Sequence, residues 1–296
     1  MPSPGTDPAA APAEAPPGWY DDPYRRYRYR WWDGQAWTDY AWTTATAIDL
    51  LPGTRRSELE RTFHGGGARL FGIAVVGLVI PFGLGVSAVA IDGYLGRPGG
   101  YDVANLLFEL VLWSGLFLTC RYVSRAYGTG SLRWDYQVRF RPEDVLVGLA
   151  GALAARVLSS FVQLLITHQD PLLNSPLYGQ VSLVDWVVLV GTTCVGAPLF
   201  EELYFRGLLQ GILVERIGAV AGVLATSVVF AAAHVFNAPG TAGVEYAAIV
   251  LPAGIVLGRI KLHYGRLGSS MTAHFLYNFG VVALLAYDLH RGGGGF

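Results

Sequence analysis

The sequence predicts an all-α membrane protein: a polytopic transmembrane helical bundle of about seven spans, eight at the upper limit, with a small N-terminal β-rich aromatic module. Three observations carry that reading. The 296 residues are 52% hydrophobic and 15% charged, with a mean hydropathy of +0.38. An ordinary soluble domain is roughly 25% charged, so this chain has a lipid-facing surface. The apolar residues gather in runs of about 20, the length at which a helix crosses a hydrocarbon core of about 30 Å. Arginines collect in alternate loops, as the positive-inside rule asks of a multi-pass protein.

Formal net charge is -1, which supplies no global field for nucleic acid, so none is expected as a partner. Cys120 and Cys194 both lie in apolar runs and read as small packing residues. No basic stretch followed by an apolar one opens the chain, so a secretory signal is not expected.

Residues 1–17 are a Pro/Ala-rich tail, expected to be disordered because they hold too few packing residues to fold alone. Residues 18–42 change character, with Gly18-Trp19-Tyr20-Asp21-Asp22-Pro23 followed by Tyr29-Arg30-Trp31-Trp32-Asp33-Gly34-Gln35-Ala36-Trp37-Thr38. Asp33-Gly34 between aromatic runs signals a hairpin, and alternating Arg and Tyr suits a half-buried strand. The stretch resembles a short Trp-rich domain of unknown function found at the termini of many actinobacterial membrane proteins. Its pattern is G-W-Y-x-D-P followed by R-Y-W-D-G-x-x-W-T, and Trp31 stands here for the usual Tyr. The resemblance implies no chemistry; it suits either a docking module for a cytoplasmic partner or a passive folded cap. Residues 43–68 then form a polar linker with Arg55, Arg56, Arg61 and Gly65-Gly66-Gly67.

Apolar spans are expected near 69–91, 103–124, 143–167, 183–203, 219–237, 244–263 and 269–289. Residues 69–142 make an accessory helical part and 143–290 a core. Gly, Ala and Ser recur inside the spans, as close helix packing in lipid allows. Basic residues follow the second, fourth and sixth spans: Arg121 to Arg141, then Arg206 and Arg216, then Arg259, Lys261 and Arg266. The intervening loops, 92–102, 168–182 and 238–243, contain only Arg97. The rule then puts the N-terminus in the cytoplasm of a multi-pass plasma-membrane protein.

Three of these apolar stretches carry polar groups that lipid-buried helices do not hold without a reason. They are Glu201-Glu202-Leu203-Tyr204-Phe205-Arg206, Phe230-Ala231-Ala232-Ala233-His234 and His274-Phe275-Leu276-Tyr277-Asn278. At about 100° per residue, Glu202 and Arg206 fall within about 40° of one another and form a charge-assisted pair. Glu201 points about 140° from Arg206, free to face another surface. An un-neutralised carboxylate in a low-dielectric pocket suits general-base work on a water molecule. His234 shares a face with Phe230. His274 and Asn278 lie one turn apart, where imidazole and carboxamide can orient a water, stabilise an oxyanion or hold a metal.

The three motifs together resemble the CPBP family of intramembrane metalloproteases, also called the Abi or CAAX-protease family. Its pattern is E-E-x-x-x-R, then F-x-x-x-H, then H-x-x-x-N, and no motif position departs here. The likeness covers about residues 143–290. It implies an all-helical bundle enclosing a polar cavity in which an endopeptidase hydrolyses a peptide bond near the membrane surface. Carried over, Glu201 activates the nucleophilic water with help from His234, and His274 and Asn278 hold the water or stabilise the oxyanion. Glu202 and Arg206 position the helix. Glu201, His234 and His274 could supply a three-ligand Zn2+ site with an open position, although the H-E-x-x-H helix of zincins is absent. The implied partners are a peptide or protein substrate at the membrane and the lipid bilayer.

Two further readings compete. The same fold could serve as a non-catalytic scaffold or a bacteriocin-immunity-type protein, a view that loss of a catalytic residue would favour. Buried Glu and His could also relay protons in a transporter, but the chain lacks the internal self-similarity that such folds often show. Arg156 and Glu109 stand mid-span, and because an unpaired arginine there costs about 2.5 kcal/mol or more, they are expected to pair with each other or Arg156 with backbone carbonyls.

Overall fold

A computed structural model of the whole chain describes residues 18–21, 23, 29–32, 34–42, 67–94, 103–166, 183–237 and 240–290. The expected tail over 1–17 and nearly all of the linker over 43–68 lie outside these residues. The chain divides into two units, residues 1–65 and 66–296.

In the first unit, β1 (Gly18–Asp21), β2 (Tyr29–Trp32) and β3 (Trp37–Trp42) form an antiparallel sheet in that order. Gly18 pairs with Trp32 across β1 and β2, and Trp32 with Trp37 across β2 and β3. Gly34, at φ 99°, takes the conformation a hairpin turn needs and that residues with a Cβ resist. Trp32 is buried and meets the edge of Trp37 at 5.3 Å, which in turn meets Tyr20 at 6.2 Å. Aromatic area supplies what a sheet this small cannot obtain from an aliphatic core.

The second unit is helical: α1 (Gly67–Tyr94), α2 (Val103–Tyr127), α3 (Asp144–Ile166), α4 (residues 183–217), α5 (Ala219–Ala232), α6 (Thr241–Tyr264) and α7 (Leu267–His290). Every apolar segment expected from the sequence is a helix, but six of the seven, not all, are long and apolar enough to cross a membrane. The exception is α5, whose 14 residues rise only about 21 Å. Its apolar pattern runs on to Asn237, but the helix tightens after Val229. The amide of His234 bonds the carbonyl of Ala231 at 2.9 Å, and His234 Nδ1 lies 2.8 Å from the carbonyl of Phe230. The histidine thus caps the helix whose apolar run suggested a longer one. Conversely, α4 continues 14 residues past its expected end at 203, because residues 201–213 are buried without a break. Its polar groups meet protein rather than lipid.

Close helix approach explains several small residues. A Cβ on Gly115 of α2 would strike the ring of Pro81 of α1, and one on Gly77 would strike Thr119. These glycines let α1 and α2 touch backbone to side chain, as lipid-buried helices must when no hydrophobic force draws them together. Helix α2 then meets α4 through Trp113, stacked on Phe200 at 5.4 Å, and Phe117, edge-on to the same ring at 6.2 Å. Leu189 and Cys194 of α4 pack with Val282 and Leu285 of α7 in one buried cluster.

A polar latch fixes the start of α3 against the start of α7. Asp144 accepts hydrogen bonds from Arg266 Nη2 at 2.6 Å, Arg266 Nε at 3.0 Å, Ser269 Oγ at 2.5 Å and the amide of Arg141 at 2.8 Å. Both Asp144 and Arg266 are buried, and Glu143 adds a second contact to Arg266 at 3.1 Å. Removing one member of such a pair leaves a buried charge uncompensated. Asp144→Ala is therefore expected to lower stability by about 3 kcal/mol, read as a fall in the unfolding transition in detergent. Adding Arg266→Leu to it should recover part of the loss; further loss in the double variant would refute the latch.

Candidate active site

Helix α4 is not a regular α-helix. Residues Val190–Gly196 and Glu202–Leu209 are π-helical, separated by the α-helical turn Ala197–Glu201. A π turn bonds i to i+5 and is common where function requires it. It also changes the angular reckoning that regular spacing gives. Glu201 and Arg206, five apart, were expected on faces about 140° apart. Glu201 closes the α-helical turn and Arg206 lies in the π segment after it, whose wider winding shifts that angle. The widened turn is held from outside: Cys120 Sγ reaches the carbonyl of Leu203 at 3.7 Å, and the Tyr204 hydroxyl donates to the carbonyl of Ala74 at 2.6 Å. Tyr136 packs on Gly207, and its hydroxyl donates to the carbonyl of Cys120 at 2.8 Å. Burial drives the Tyr136 phenol well above its usual range, so it stays neutral and keeps donating.

Arg206 is buried, with Nη1 2.8 Å from Glu202 Oε1. Its Nη2 donates to the carbonyl of Gly254 at 3.3 Å, and its guanidinium lies over the Phe230 ring at 4.1 Å. One turn on, Gln210 Nε2 donates to the carbonyl of Gly258 at 3.0 Å. Gly254 and Gly258 form a G-x-x-x-G step on α6, and their missing side chains let two polar groups of α4 reach α6 carbonyls. That step and Gln210 went unread in the sequence, although the G-x-x-x-G spacing within an apolar run was there to find.

The third motif closes onto this pair. His274 Nδ1 stands 3.0 Å from Glu202 Oε1, and His274 is buried. A carboxylate can only accept, so Nδ1 carries the proton and Nε2 is presented to the other side. The same logic applies to His234: its Nδ1 must donate to the Phe230 carbonyl, leaving Nε2 free. Phe230 is the hub, with its ring 4.7 Å from His234, 6.0 Å from His274 and 5.2 Å from Phe205. Asn278 shares a face with His274, as expected, yet its Nδ2 donates to the carbonyl of Thr193 in the first π segment at 2.7 Å. One amide hydrogen is thereby committed to the backbone.

Glu201 is buried, and its Oε2 has no hydrogen-bond partner; Glu202 Oε2 and Arg206 Nε are likewise without one. Native proteins rarely leave buried polar atoms unpaired, and such atoms call for a bound water or a ligand group. Three of them belong to residues of the first motif, within α4.

The expected pairing of Arg156 with Glu109 is not what the structure has. Arg156 lies over the Tyr277 ring at 5.0 Å, whereas Glu109 of α2 is within electrostatic range of Glu201. Trp113, one turn beyond Glu109, is stacked on Phe200 beside Glu201, which aims Glu109 toward α4. Among the described residues no three His, Cys, Asp or Glu side chains converge to hold a metal ion.

Residues 183–280 match the model of a family described as Type II CAAX prenyl endopeptidase Rce1-like. The match covers about a third of the chain, contains all seven motif residues and does not reach residues 18–42. No curated protein and no solved structure matches the chain.

The α4–α6 step yields a stability test. Gly254→Val with Gly258→Val pushes side chains into Ser227, Phe230, Gln210 and Val223, and should destabilise by about 1–3 kcal/mol per site. Gly280→Val, with nothing within 4 Å of its added carbon, is the control and should shift the transition little. Equal melting of the two would rule out close approach at Gly254 and Gly258.

Proposed function

We propose that this protein is an intramembrane endopeptidase of the CAAX-protease type, hydrolysing a peptide bond near the membrane surface through a water activated by Glu201. The observation that carries the reading is the buried turn of α4, where Glu202 Oε1 is tied to Arg206 and His274 while, among the described residues, no salt bridge holds Glu201. The network takes up Glu202 and Arg206, so Glu201 is the carboxylate left for chemistry.

Glu201 Oε2 accepts a proton from water, and the water oxygen attacks the scissile carbonyl carbon. The tetrahedral oxyanion is then stabilised by donors. Asn278 retains one amide hydrogen beyond the one given to Thr193. His274, held through Nδ1 on Glu202, keeps its ring in place with Nε2 turned away from that carboxylate. His234 presents Nε2 as an acceptor and assists the base. The carbon–nitrogen bond breaks as the proton held by Glu201 passes to the leaving amine, which restores the carboxylate. Phe230 and the π turn keep the participants in register. No step in this course is routed through a metal.

The arginine distribution supports a plasma-membrane protein with a cytoplasmic N-terminus. The Trp-rich module would then meet a cytoplasmic partner.

Two experiments test the reading. Glu201→Ala and His234→Ala are each expected to lower processing by about 10²–10⁴-fold, so that N-terminal proteomics of native membranes loses the same fragments in both. Survival of those fragments in both variants would favour a non-catalytic scaffold. Stripping metal with a membrane-permeant chelator should leave cleavage intact; loss of activity restored by zinc would overturn the metal-free course.

A further inference from the structure

The loop between α2 and α3 carries charge and aromatic surface for which the hydrolytic steps have no use. Both flanking helices are long and apolar enough to cross a membrane, so residues 128–143 meet the bilayer at an interface. A single helical turn, Leu132–Asp135, sets Trp134 at the surface. The Arg139 guanidinium lies over the Trp134 ring at 4.5 Å and that of Arg133 at 6.0 Å, so one indole gathers two cations. Arg141 stands exposed two residues further on. Partial burial, and after it the charges of Arg133 and Arg141, hold the Arg139 guanidinium below its usual range.

The carboxylates of this region are committed elsewhere. Asp135 is buried and accepts from Ser124 Oγ at 2.5 Å, Thr129 Oγ1 at 2.8 Å and the Thr129 amide at 2.9 Å. Glu143 is divided between Arg141 at 3.5 Å and Arg266 at 3.1 Å, and Asp144 belongs to the latch with Arg266. Among the described residues no carboxylate pairs with Arg133. Cations that a fold gathers without matching anions make a surface for an anion from outside. The rings decide which anion. Trp134 and Phe140 are both exposed. Aromatic rings settle at headgroup depth, and a guanidinium fork takes two oxygens of one phosphate. A soluble anion would answer the arginines and leave both rings in water; a phospholipid answers both.

We propose that the α2–α3 loop is a binding site for an anionic phospholipid, with Arg133, Arg139 and Arg141 on the headgroup and Trp134 and Phe140 at the acyl boundary beneath it. The site stands independently of the endopeptidase reading. It is fastened to the helices that carry the buried polar network. Tyr136 packs on Gly207 of α4, the Gln137 carbonyl accepts from the Leu267 amide at 2.9 Å, and a Cβ on Gly268 of α7 would strike the Arg139 carbonyl. A lipid held by this loop therefore stabilises the folded bundle by mass action.

The full chain in an uncharged detergent is titrated with short-chain phosphatidylglycerol, with phosphatidylcholine of the same chains, with inorganic phosphate and with hexaglutamate. Binding and the unfolding transition are followed together. Phosphatidylglycerol is expected to bind at least about tenfold more tightly than phosphatidylcholine and to raise the transition. Arg133→Gln with Arg139→Gln should weaken phosphatidylglycerol binding by about fivefold for each arginine and leave phosphatidylcholine binding unchanged. Arg133→Gln alone, at an exposed position, should cost one such factor and decides the matter should the pair fail to fold. Arg69→Gln with Arg259→Gln removes the same charge at two other exposed positions and should leave the preference within about twofold. Equal affinity for the two lipids in the wild type, or a preference untouched by the Arg133 variants, would overturn the proposal. Equal loss in the Arg69 and Arg259 pair would overturn it by reducing the site to net charge. Tighter binding of inorganic phosphate or of hexaglutamate than of phosphatidylglycerol would replace the lipid with a soluble anion or an acidic peptide.

Discussion

The fully buried Glu202–Arg206 pair is the constraint around which the helical unit is arranged. A guanidinium and a carboxylate taken out of water lose more hydration than one mutual contact returns, so the remaining donors and acceptors need partners nearby. Those partners come from three other helices: Gly254 from α6, the Phe230 face from α5 and His274 from α7. Each contact requires a specific local feature. Gly254 must lack a side chain, Phe230 must sit one turn before the end of a short helix, and α7 must approach closely enough to bring an imidazole to 3.0 Å. The ion pair and the helix packing are therefore one problem with one solution.

That solution leaves Glu201 apart. Neighbouring glutamates differ in that Glu202 is tied through Oε1 to Arg206 and His274, whereas among the described residues no salt bridge holds Glu201. Under the proposed function, that difference in surroundings separates a structural charge from a reactive one. The supports outside the core serve the same end. Cys120, Tyr136 and Tyr204 bond carbonyls or pack against glycine around the π segment, holding open a turn that costs helix regularity. Cys120 is thus more than a packing thiol: its S–H meets the Leu203 carbonyl within the widened turn.

The polar network also accounts for where the spans differ from hydropathy. Helix α4 outruns its apolar segment since its far half is wrapped in protein, and α5 stops short since His234 bonds back to Phe230. A sliding count of apolar residues sees neither, because it measures transfer into lipid and not the partners a side chain finds in the bundle. The pairing of Arg156 failed for a related reason. Opposite charges at similar depth suggest a salt bridge, but Glu109 faces α4 while Arg156 faces Tyr277.

By itself the sequence determined the class of the protein, the seven helical segments and the three motifs that hold its buried polar groups. Hydropathy, loop charge and motif spacing are local, and a single chain displays them directly. Which glutamate is braced, which imidazole nitrogen is exposed, and whether three donors approach a common point were decided only in the tertiary structure. Those outcomes depend on the π-helical geometry of α4 and on the glycine-permitted distance between α4 and α6, neither of which regular helical spacing contains.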